Sequence, residues 1–191
     1  INGVTDGVPT ITVEDSDGAT TPADNSVVEA TGATVTGSIT ISAEAGVQTL
    51  TIEGTDITGA TPGTPVTIPG AEGTLVVTNY DAATGVISYS YTEDALAEDH
   101  SGGAITDSFA INLVDLAGQS DSDSLDIEII DTAPVAVADS DSINEDVASI
   151  NGDVRGNDTD NADTPITITA GTGSQAGSYG SLLLNADRSE E

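Results

Sequence analysis

Short runs in which apolar residues alternate with Thr or Ser recur along this chain, and a helical period is hard to find. The clearest are Thr10 to Val13, Thr34 to Ile41, Gln48 to Ile52, Pro65 to Ile68, Thr74 to Thr78, Gly85 to Tyr91, Asp107 to Leu113 and Ser124 to Ile130. In two of them the inward set is legible: Phe109, Ile111 and Leu113, then Leu125, Ile127 and Ile129, with polar or acidic residues mostly between. A period of two marks a strand with one buried face. Turn formers separate the runs, among them Thr61-Pro62-Gly63, Pro69-Gly70, Ala83-Thr84-Gly85, Ser101-Gly102-Gly103 and Ala117-Gly118. Many short strands, with no helix to cover a parallel sheet, predict an all-β chain folded as an antiparallel β-sandwich of Ig-like type.

An internal repeat predicts tandem modules. Asp6-Gly7-Val8-Pro9, an alternating strand and Asp15-Ser16-Asp17 are echoed at nearly the same spacing by Asp131-Thr132-Ala133-Pro134, a strand and Asp139-Ser140-Asp141. A first module is expected over residues 1–132 and a second over 133–191. The second is expected to be truncated or split, since beyond Pro165 to Thr169 and Gly180 to Asn185 it offers few strands.

Charge changes the picture most. The 191 residues hold 33 Asp plus Glu against 2 basic residues, Arg155 and Arg188, for a formal charge of −31. A polyanion has no positive patch with which to approach nucleic acid or an anionic membrane, so both classes of partner are excluded. There is no Cys, which removes disulfides and thiolate metal sites. Aromatics are 3% of the chain, so the expected core of Val, Ile, Leu and Ala is thin and works against strong self-repulsion. A bound cation is the remedy that composition suggests. No apolar run is long enough to span a bilayer, and no secretion signal is expected at this N-terminus.

Calcium takes six to eight oxygens, preferring carboxylates, backbone carbonyls and Asn side chains, and an Asp-x-Asp pair in an irregular segment can turn two carboxylates toward one ion. At each module start one Asp precedes the Pro and a pair follows the first strand. The candidate ligands are Asp6, Asp15 and Asp17 in the first copy, with Glu14 beside them, and Asp131, Asp139 and Asp141 in the second, joined by Glu145 and Asp146. A further cluster, Asn157, Asp158, Asp160 and Asp163, lies in a segment too polar for a core strand. Glu93, Asp94, Glu98 and Asp99 form a weaker candidate set. The helix-loop-helix calcium loop and the glycine-rich nonapeptide array are not matched. Catalysis has little to stand on. His100 is the single histidine, and Glu98-Asp99-His100-Ser101 are neighbours in sequence, which is not how a Ser/His/Asp triad is assembled. The aromatic platforms of a sugar cleft are nearly missing, so no enzymatic activity is expected. Asn157-Asp158-Thr159 fits a glycosylation sequon but falls inside the proposed ligand cluster.

The stretch Ile68-Pro69-Gly70-Ala71-Glu72-Gly73-Thr74-Leu75, then Asn79-Tyr80-Asp81-Ala82-Ala83-Thr84-Gly85-Val86-Ile87-Ser88-Tyr89-Ser90-Tyr91, Asp99-His100-Ser101-Gly102-Gly103 and Thr106-Asp107-Ser108-Phe109 resembles the long Ig-like repeats of giant bacterial type I secretion-target (RTX) adhesins. That resemblance covers about residues 1–132. From Ala133-Pro134-Val135-Ala136-Val137-Ala138-Asp139 through Asn144-Glu145-Asp146, Gly156-Asn157-Asp158-Thr159-Asp160 and Tyr179-Gly180-Ser181-Leu182-Leu183-Leu184-Asn185-Ala186-Asp187, the chain is similar to the first half of the cadherin-like repeat abbreviated VCBS. The Asp-x-Asp-Gly-Asp usual before the last strand of the first kind of repeat reads Asp115-Leu116-Ala117-Gly118-Gln119 here, so no metal is expected there.

The resemblance implies an extracellular module on the bacterial surface, exported by type I secretion through a C-terminal signal outside this sequence and folding when it meets external calcium. The expected role is a monomeric, calcium-stabilised extender whose partners are neighbouring repeats of the same chain, rigidified by Ca2+ at the junctions. The alternative is a module of the adhesin that recognises a sugar, peptide or surface.

Overall fold

The computed structural model describes residues 6–16, 23–161, 173–184 and 189–190, and these divide into two units: residues up to 97 together with 103–131, and residues 98–102 together with those from 132 onward.

The first unit is a β-sandwich. Its strands are β1 (Thr10–Val13), β2 (Asn25–Val28), β3 (Thr34–Ser42), β4 (Val47–Ile52), β5 (Thr55–Asp56), β6 (Val66–Pro69), β7 (Gly73–Asp81), β8 (Val86–Glu93), β9 (Ile105–Asp115) and β10 (Ser120–Ile130). One sheet runs β1-β3-β8-β7-β6 and the other β2-β10-β9-β4-β5. The orders β1-β3-β8-β7 and β10-β9-β4 reproduce the two sheets that define the Ig sandwich. Alternation decides which side chains meet: Ile39 and Ile41, Leu75 and Val77, and Ile87, Tyr89 and Tyr91 face inward from one sheet, and Leu50, Ile52, Phe109, Ile111, Leu113, Leu125, Ile127 and Ile129 from the other. The sole Phe and Tyr91 stack edge to face, with ring centroids 6.0 Å apart.

Among the described residues all ladders in this unit are antiparallel except one. β2 pairs parallel to β10 with Asn25 opposite Ile127 and Val28 opposite Ile130, a pairing the alternation pattern does not announce because a four-residue strand carries too few positions to show a period.

The second unit has a small antiparallel sheet, β11 (Gly152–Asp153), β14 (Ser189–Glu190), β13 (Ser181–Leu184) and β12 (Gly173–Ala176) in that order. Its one helical turn among the described residues is a 3-10 turn over His100–Gly102. None of its described residues is buried, and Val135, Val137, Ile143, Val147, Tyr179 and Leu182 are exposed. Within the expected strand Gly180 to Asn185 the structure places β13, whereas Pro165 to Thr169 lie outside the described residues. Among the described residues no helix is long and apolar enough to cross a membrane.

Candidate cation sites

Two kinds of acid occupy the first unit. Glu29, Glu93, Asp107 and Asp115 are buried, and both arginines of the chain lie beyond residue 150, outside this unit. Burying a carboxylate requires donors in place of water, and Glu93, Asp107 and Asp115 find them in the backbone. Glu93 accepts from the N–H groups of Ala30 (3.1 Å), Thr31 (3.0 Å), Gly32 (2.6 Å) and Ala95 (2.9 Å). Asp107 accepts from Ala71 and Glu72 N–H, both at 3.1 Å, and from the Tyr91 hydroxyl at 2.9 Å. Burial, followed by that hydrogen bond and the Asp107 charge, pushes the Tyr91 phenol well above its ordinary value. Asp115 accepts from Gln119 N–H at 2.7 Å. These acids fasten loops. Glu93, a weaker candidate ligand on sequence grounds, is one of them.

The second kind is gathered by the parallel β2/β10 pair. One residue before its first rung stand Asp24 and Asp126, whose backbones and side chain interlock: Asp24 N–H donates to Asp126 C=O (2.9 Å), and Asp126 N–H donates to Asp24 Oδ2 (2.8 Å). Asp126 also accepts from the hydroxyls of Ser108 and Ser124. Asp15 and Asp123 add their charges to this place, and the Asp24 carboxyl is raised above its ordinary range, first by burial and then by repulsion from Asp126, Asp123 and Asp15. One residue past the last rung the same register brings Glu29, fully buried, beside Asp131, with Glu29 N–H donating to Ile130 C=O at 3.1 Å.

The proposed ligands of the first module start are therefore divided. Asp15 is brought toward Asp24, whose C=O accepts from the neighbouring Ser16 N–H at 2.8 Å. Asp6 lies beyond the other end of β1, where Gln119 Nε2 donates to its Oδ2 at 3.3 Å. A four-residue strand spans roughly 10 Å, whereas ligands of one calcium ion lie within about 5 Å of each other, so Asp6 and Asp15 serve different places. Asp17 is outside the described residues. Asp24, Asp123, Asp126 and Glu29 were not singled out by sequence spacing, although Asp24-x4-Glu29 and Asp126-x4-Asp131 share a spacing that a parallel pairing converts into contact.

In the second unit Asn157, Asp158, Thr159 and Asn161 reach residues 133–138. Val135 and Thr159 form a bridge, Val137 N–H donates to Asp158 Oδ1 (2.7 Å), Asn157 Nδ2 donates to Ala138 C=O (3.5 Å), and Asn161 Nδ2 donates to Ala133 C=O (2.9 Å). This leads the chain past Asn157 into Asp139. Asp139, Asp141, Glu145 and Asp146 are all exposed, and Asp141 Oδ1 accepts from Ser142 N–H at 2.6 Å. Asp160 is half-buried, and Asp163 is outside the described residues.

Comparison of the chain with protein-family models, with curated proteins and with solved structures finds no match.

Proposed function

We propose that this chain is a calcium-stabilised spacer from a large bacterial surface adhesin of the type I secretion class, non-enzymatic and monomeric, acting extracellularly with neighbouring repeats as its partners. The observation that carries this reading is the interlocked pair Asp24 and Asp126, with the charges of Asp123 and Asp15 acting on Asp24 as well, in a unit that contains neither Lys nor Arg. Such a place is electrostatically unfavourable when empty and suits a hard divalent cation, which takes carboxylate oxygens and turns the repulsion into attraction. The second acid pair, Glu29 and Asp131, stands where the first unit ends, a position from which an ion would stiffen the passage to the next module.

Extracellular calcium modules bind with Kd of roughly 10⁻⁴ to 10⁻³ M, so a few millimolar calcium adds about 1 to 2 kcal/mol of stability per site. The expected result is a melting temperature several degrees higher in calcium than in EDTA, with a longer, less flexible particle in small-angle scattering. Identical melts and scattering in the two buffers would sink the proposal.

Asp24→Asn provides a sharper test, because Asn can still accept from Asp126 N–H. In EDTA the variant is expected to be more stable than wild type at pH 7, and it is expected to gain less from calcium. The pH dependence follows from the raised carboxyl. A group raised on folding weakens the protein once pH exceeds its unfolded value, and fully so above its folded value. The advantage of Asn in EDTA should therefore shrink as pH falls toward 3.8. A variant less stable than wild type in EDTA at pH 7 counts against repulsion at this place.

A further inference from the structure

We infer that the Gln119 carboxamide is a built-in substitute for a cation, fastening Asp6 and Gly7 to the β9–β10 turn without an ion. Asp115, at the end of β9, is fully buried. Its backbone N–H donates to Gln119 C=O (2.9 Å) and its C=O accepts from Gly118 N–H (3.0 Å), while its Oδ1 takes Gln119 N–H, so the turn is closed tightly around the carboxylate. The Gln119 side chain then folds back over the other oxygen. Gln119 Nε2 lies 3.3 Å from Asp6 Oδ2, 3.4 Å from Gly7 C=O and 3.5 Å from Asp115 Oδ2.

An amide nitrogen carries two protons, and here it faces three oxygens, two of them on carboxylates, all beyond the usual 2.9 to 3.0 Å for N–H···O. Two acids and a carbonyl converging on one centre form an environment made for positive charge. This unit has no Lys or Arg to supply it, and the positive end of the amide dipole supplies a fraction. The amide is covalently part of the β9–β10 turn, so its hold on Asp6 and Gly7 does not depend on the composition of the medium.

Two further contacts continue the attachment: Gly7 N–H donates to Glu44 Oε2 (3.2 Å) and Ile11 N–H donates to Asp121 Oδ2 (2.8 Å). The first sandwich thus has a β9–β10 turn closed by an amide and, farther along β10, the Asp24 and Asp126 pair, where acids repel acids. The amide-closed turn is independent of the proposed role of calcium, since it needs none.

Hydrogen exchange of the full chain, followed at the Gly7 and Ile11 amides by NMR, tests it. In wild type these amides are expected to exchange equally slowly in EDTA and in calcium, and Gln119→Ala is expected to exchange there about tenfold faster or more while the Leu125 amide in the core is unchanged. Gln119→Glu places a third carboxylate in the cage, so Gly7 should exchange fast in EDTA and recover its protection in calcium. Loss of wild-type Gly7 protection in EDTA, wild-type exchange in Gln119→Ala, or failure of calcium to restore Gln119→Glu would each overturn the inference. Calcium-dependent melting of the wild type, read in the same samples, reports separately on the spacer proposal.

Discussion

Glu93→Ala is expected to destabilise the first sandwich by about 3 kcal/mol, a drop in melting temperature of roughly 10 °C for a domain of this size. The Glu93 side chain is 3% exposed, and its two oxygens satisfy four backbone N–H groups from the loop after β2 and the loop after β8. Alanine removes the acceptor and leaves the donors of Thr31, Gly32 and Ala95 in a partly buried place. Ala30 N–H retains a second acceptor, Leu96 C=O at 2.9 Å, which limits the loss. The carboxylate also holds two non-glycine residues in the left-handed region, Ala30 at φ 56° and Ala95 at φ 66°, conformations that cost on the order of 1 kcal/mol each and persist only where contacts enforce them. Glu93→Gln separates these contributions. It keeps the shape and one acceptor oxygen but turns an NH2 toward donors, so it should fall between wild type and alanine. Urea unfolding of the three proteins in one calcium buffer checks the order, and an alanine variant within about 0.5 kcal/mol of wild type would remove Glu93 from its role.

The place of Glu93 was in fact written in its strand. In β8, Ile87, Tyr89 and Tyr91 face the core, and Glu93 shares their parity. In β9 the same parity carries Asp107 and Asp115 inward with Phe109, Ile111 and Leu113. Alternation thus made both the sandwich and its buried acids legible, provided the parity was followed to the strand ends rather than stopped at the last apolar residue. What alternation does not carry is pairing between distant strands. Asp24 and Asp126 meet because β2 docks parallel to β10, a long-range event decided by the whole core and not by any local spacing. The module-start repeat pointed to Asp15 through its similarity to Asp139. It also joined Asp6 to Asp15, which a strand between them keeps apart. In the second unit, Asn157 and Asp158 were legible as part of a polar cluster, and their hold on residues 133–138, shared with Asn161, was not, because it depends on side-chain amides and carboxylates reaching a backbone far away in sequence.

Gly85→Ala is expected to be at least as damaging as the loss of Glu93, on the order of 3 to 5 kcal/mol, and for a reason that lies in the backbone. Gly85 closes the β7–β8 turn at φ 75°, accepts from Ile41 N–H at 2.9 Å and donates to Asp81 C=O at 2.8 Å. A Cβ there would collide with the carbonyl oxygen of Ile41, a main-chain atom in β3 that cannot rotate away. Relief requires moving β3 away from β8, which would disturb one of the longest ladders of its sheet and the burial of Ile39, Ile41 and Ile87 that depends on it. Gly118 isolates the dihedral contribution. It sits at φ 83° with nothing within 4 Å of the point a Cβ would occupy, so Gly118→Ala should lose only about 1 kcal/mol. The difference between the two variants measures the steric cost of the β3–β8 approach alone. Equal losses at Gly85 and Gly118 would mean that the turn yields without disturbing the strand behind it.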